Sequence, residues 1–88
     1  MEEIDFRELL EQNYKWPAFY MFKFICPANN EAVAQLQELF DPEVAELLLR
    51  PSSKGNYISF TARELMISPD AVVERYQKAK GIEGLISL

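Results

Sequence analysis

The chain contains no histidine, one cysteine and three glycines among its 88 residues. The first two scarcities each remove a class of function. Without histidine there is no ready general acid–base group, no commonest metal ligand, and no Ser-His or Cys-His nucleophilic pair. Catalysis would have to rest on carboxylates, lysine or tyrosine, and no such pairing is visible, so the chain reads as non-enzymatic and calls for no cofactor. A lone Cys26 cannot close an intramolecular disulfide, which excludes a secreted, stapled fold. No apolar run approaches the roughly 20 residues of a membrane helix. The opening stretch is acidic and lacks the basic-then-apolar order of a signal peptide, so a soluble cytoplasmic protein is expected. Cations are also few: nine Lys and Arg stand against 14 Asp and Glu, a net charge of −5. That balance repels phosphate backbones and makes nucleic acid an unfavoured partner.

Apolar residues, by contrast, make up 49% of the chain, and ten Phe and Tyr plus one Trp are spread along it (Phe 6, Tyr 4, Trp 1). One small domain can build a core from side chains of this size. Asp5 with Glu8 three residues later has capping-box spacing, and Ile4 is placed to staple onto Leu9, so a helix is expected to run to about Gln12. Too short to stand alone, it must dock through Phe6, Leu9 and Leu10. From Pro17 to Cys26 the pattern turns to that of a strand. Tyr20, Phe22, Phe24 and Cys26 share one face; Phe19, Met21, Lys23 and Ile25 share the other, which Lys23 marks as the more exposed. Asn29 or Asn30 caps a second helix with Ala32, Leu36, Leu39 and Phe40 on its apolar stripe. Val44–Arg50 is ambiguous between helix and strand; read as a strand, it runs into Pro51. Tyr57 to about Met66 is a further strand. Ser68-Pro69-Asp70 starts a helix with Val72, Val73, Tyr76 and Ala79 inward, ended by Gly81. Ile82–Leu88 is expected as a last strand.

This order predicts an α+β fold, a ferredoxin-like β-α-β-β-α-β sandwich with two helices on one face of a four-stranded antiparallel sheet. Residues 17–88 would form that domain, and residues 1–16 a helical extension.

Between the second and third strands lies Pro51-Ser52-Ser53-Lys54-Gly55-Asn56-Tyr57, richer in hydrogen-bonding groups than a connection needs. This run, followed by Ile58-Ser59, resembles the signature of the YbeD-like family of small bacterial proteins of unknown function. The resemblance covers the chain from about Pro17 onward and implies a fold like that of ACT-type regulatory domains, which bind small metabolites and control enzymes. It supplies no catalytic residue.

Two readings of the loop stand side by side. Pro51, the two serines and Gly55 can simply build the turn. Alternatively Ser52, Ser53, Lys54, Gly55, Asn56 and Tyr57, with Arg50 and Arg63 close by, converge on a small anionic metabolite or an acidic partner segment. A nucleotide P-loop is excluded, because a strand rather than a helix follows. A second class of function is a protein–protein interaction or homodimerisation module, using the sheet face or an edge strand with Met21, Ile25 and Leu47–Leu49 exposed. The counter-reading is that the first helix covers that face. Stacking of RNA bases on Phe19 and Tyr57 is disfavoured by charge and by the missing basic-aromatic run. Cys26 reads as a buried hydrophobe, and Glu2, Glu3, Asp5, Glu8 and Glu11 as a solvated helix face without the partners of a metal site.

Overall fold

The computed structural model describes residues 5–88. It is an α+β structure, with α1 (Phe6–Asn13), β1 (Ala18–Pro27), α2 (Asn30–Gln37), β2 (Ala45–Pro51), β3 (Tyr57–Met66), α3 (Pro69–Ala79) and β4 (Ile86–Ser87). The strands form one antiparallel sheet in the order β2-β3-β1-β4. The expected caps are in place: the side chains of Asp5, Asn29 and Ser68 accept from the N–H groups of Arg7, Ala32 and Ala71, and Pro69 opens α3. Ile4, Glu2 and Glu3 lie outside the described residues.

Period-two alternation sorts the sheet into two faces. Phe22, Phe24, Cys26, Phe60, Ala62 and Met66 point to the helical side and are buried, meeting Leu36, Phe40 and Val72. Their rings interlock: Phe22 and Phe24 each pack against Phe40 and Tyr76. Two ends differ from expectation. The second helix stops at Gln37, and Leu39 and Phe40 follow in tight turns in which their N–H groups donate to Leu36 and Gln37. Phe40 is still delivered to the core. The last strand is only Ile86–Ser87, because Gly81 to Leu85 continues as turns whose N–H groups reach back three residues, with Gly84 at φ +79°.

The first helix docks on α3, not on the bare side of the sheet. Phe6 meets Tyr76 edge-on at 5.6 Å, Arg7 pairs with Asp70, Leu10 is buried, and the Trp16 indole N–H donates to the Leu10 carbonyl at 3.2 Å. No helix among the described residues is long and apolar enough to cross a membrane.

Candidate functional site

The loop between β2 and β3 spends much of its polarity on itself. The N–H of Ser52 donates to the Tyr57 carbonyl at 2.8 Å, and the N–H of Tyr57 returns a bond to the Ser52 hydroxyl at 3.2 Å. Inside that ring the Gly55 N–H donates to the Ser52 carbonyl at 3.0 Å, with Gly55 at φ +75°. The Asn56 carbonyl accepts from Ala28 at 3.0 Å, tying the loop to the end of β1. Ser53, Lys54 and the remaining loop residues are exposed. Ser52 and Gly55 thus build the hairpin, and Lys54 stands at its tip.

Arg50 goes elsewhere. It shares the parity of Glu46 and Leu48, so its side chain lies on the open sheet face. Arg63 is also remote from the loop: six residues along β3 from Tyr57 is about 20 Å. It sits over the Phe19 ring at 4.0 Å and reaches Glu46 at 3.5 Å. Phe19 and Tyr57 pair with Leu65 and Pro27 at opposite ends of the β1–β3 ladder. They do not form one stacking platform.

What the register does assemble is a depression on the open face. Leu48 and Arg50 on β2 face Thr61 and Ser59 on β3, which face Lys23 and Ile25 on β1. Met21, Lys23, Leu48, Arg50, Ser59 and Thr61 enclose about 380 Å³. Met21 and Leu48 are each half exposed, and so are Phe19, Leu65 and Ile86 around them. Among the described residues no ion pair includes Lys23 or Arg50. Two cations and two hydroxyls between apolar walls suit a carboxylate flanked by hydrocarbon. Of the loop group, Arg50 alone lines this depression. Lys23, Ser59 and Thr61 were legible only as members of the exposed face. Their convergence needed the register of three strands.

The opposite face holds a second polar pair. Glu64 points inward with Phe60 and Ala62, and Arg75 on α3 grips it through two bonds of 3.1 and 3.0 Å while lying over the Phe40 ring at 4.9 Å. An acid on an apolar strand face is the sequence signal for such a partner. The Tyr20 and Tyr76 hydroxyls meet at 3.0 Å; burial, then the bond to Tyr20, raises the Tyr76 phenol above its ordinary value. Burial likewise pushes the Cys26 thiol up, which disfavours the thiolate. Among the described residues no three metal-ligating side chains come together.

Among the described residues, fold and site together define a small α+β domain with one layer of helices and an opposite, partly apolar sheet face that no helix covers and that carries a cationic depression. The chain belongs to the family described as protein of unknown function (DUF493), whose model matches residues 11–87. This is the YbeD-like family that the loop resembles. The chain matches no curated protein and no solved structure.

Proposed function

We propose that this chain is a non-enzymatic adaptor domain of the cytoplasm that takes an acidic, apolar-flanked segment of a partner protein on its open sheet face. The observation that carries this reading is the depression of Lys23, Arg50, Ser59 and Thr61 between Met21 and Leu48, on a molecule of net charge −5. A local positive spot on an acidic protein selects for charge-complementary partners and speeds their encounter. The apolar rim supplies the contact area that a carboxylate alone would lack.

A small anionic metabolite is the weaker occupant, because ligand sites of that kind bury most of the ligand and the Met21 and Leu48 walls of this depression are half exposed. A homodimer through the same face is also weaker. An isologous interface whose two-fold axis runs through the depression would set Lys23 and Arg50 against their own copies. The strand order β2-β3-β1-β4 within a β-α-β-β-α-β chain supports reading the fold as ferredoxin-like. Regulatory use in the manner of ACT domains then follows by analogy of fold.

The test is capture from the cell lysate by the wild type and three variants, with sedimentation to report oligomeric state. A partner retained by Lys54→Ala but lost by Met21→Asp and by the Lys23→Glu/Arg50→Glu pair supports the reading. Retention by the charge-reversed pair, or a dimer that Met21→Asp dissociates, refutes it.

A further inference from the structure

Strand β2 lies in mid-chain and forms one edge of the sheet, paired only with β3. Its hydrogen-bonding sides follow from the hairpin. Ser52 stands opposite Tyr57 and donates to its carbonyl at 2.8 Å. Peptide groups of an antiparallel ladder alternate sides, so Glu46, Leu48 and Arg50, of the same parity, bond inward to β3. Ala45, Leu47, Leu49 and Pro51 turn their peptide groups outward. Both ends of that row are closed to donors: the Ala45 N–H donates to the Asp41 carbonyl at 2.8 Å, and Pro51 has no N–H. Between them, the outward N–H and C=O groups of Leu47 and Leu49 have no backbone partner among the described residues. The helices pack chiefly on β1 and β3, which leaves this edge approachable.

The sequence of this edge, Ala-Glu-Leu-Leu-Leu-Arg-Pro, is complementary to itself. We infer that the β2 edge joins two copies of this chain into one continuous sheet, antiparallel about a two-fold axis at Leu48. In that register Glu46 faces Arg50 of the second copy, and Arg50 faces its Glu46. Leu48 faces Leu48 between them on the open side, and Leu47 faces Leu49 on the helical side. Leu47 and Leu49 exchange reciprocal hydrogen bonds across the axis, while Glu46 and Arg50 take the non-bonded positions, where side chains come closest. Charges of one sign on an edge keep copies apart. Here they are of opposite sign and equally far from Leu48. Continuing the register carries the exposed Lys54 at the loop tip toward the second copy's Asp41 and Glu43, which are exposed as well. The pairing is edge to edge, so the open faces of both copies stay uncovered. A guanidinium has five donors, so Arg50 can bond Glu46 of the second copy and still line the depression.

Analytical ultracentrifugation of the intact protein over a dilution series tests the inference. The wild type is expected to dimerise as concentration rises, with slower hydrogen exchange at the Leu47 and Leu49 amides in the dimer. Glu46→Arg alone, and Arg50→Glu alone, each set like charges opposite one another at two symmetric places and are expected to weaken self-association about tenfold. Both positions are exposed, so the fold tolerates the change. An equimolar mixture of the two single variants restores opposite charges at both places and is expected to dimerise as the wild type does. So is the double variant Glu46→Arg/Arg50→Glu. Because Glu46→Arg leaves Lys23 and Arg50 in place, its effect on dimerisation is separate from any failure of the open-face reading. A protein that stays monomeric at every concentration overturns the inference. So does a dimer that neither single variant weakens, or single variants that do not recover on mixing.

Discussion

Replacing Arg75 by methionine keeps the apolar stem on Phe40 and removes the guanidinium, leaving the Glu64 carboxylate alone on the inner face. The pair is bidentate, at 3.1 and 3.0 Å, and its side chains are only 19% and 13% exposed. Deleting one partner of a fully buried pair costs roughly 3–5 kcal/mol. The residual water contact here lowers that to about 2 kcal/mol, and the loss of the cation over the Phe22 and Phe40 rings adds about 1 kcal/mol. The expected destabilisation is therefore about 3 kcal/mol, which for a domain of this size lowers Tm by roughly 12–24 °C. The Glu64→Leu/Arg75→Leu pair is expected to fall within about 1 kcal/mol of wild type, since no charge is stranded. Urea denaturation followed by circular dichroism reads both. A single variant within about 0.5 kcal/mol of wild type, or a double variant less stable than the single, would refute the argument that stranding the carboxylate is the cost.

Two further predictions concern the backbone and alkaline pH. Gly84→Ala puts a Cβ 2.8 Å from the Pro27 ring at φ +79°, whereas Gly55→Ala at φ +75° meets nothing within 4 Å. Left-handed backbone alone costs about 1 kcal/mol with a Cβ, so Gly84→Ala is expected to lose about 2–3 kcal/mol and Gly55→Ala about 1 kcal/mol. Equal losses would show that the Pro27 contact is relieved at no cost. For Tyr76, the folded state holds the phenolic proton more tightly than the unfolded chain does, where the ordinary value is 10.0. Its stabilisation is complete below that pH and is lost as pH rises through the folded value. Denaturation curves above about pH 10 are thus expected to fall more steeply for wild type than for Tyr76→Phe. Parallel curves would reject the linkage.

Local patterns carried much of the fold. The alternation in β1 and β3, the caps at Asp5, Asn29 and Ser68, and Pro69 at the head of α3 are short-range preferences that a few neighbouring residues express. They were legible because the backbone hydrogen bonds and side-chain faces they govern repeat every two or four residues. The shortness of β4 was less legible: Leu85, Ile86 and Leu88 suit a strand, but turns through Gly84 use up the chain before it.

Which surface covers which is a non-local matter, and there the sequence was silent. Phe6 and Arg7 carry no mark that they meet Tyr76 and Asp70 on α3, yet that docking is what leaves Phe19, Met21 and Leu48 uncovered. The loop drew the eye through its composition, but Ser52 and Gly55 close a hairpin, and Arg50 turns by strand parity to the open face beside Lys23. Glu64 and Arg75, eleven residues apart, meet because a strand and the helix after it fold back on each other. By itself the sequence determined the elements and their faces, since those follow from each residue's own preferences and spacing. Only the tertiary structure decided the site, because a site depends on which faces find a partner and which are left without one.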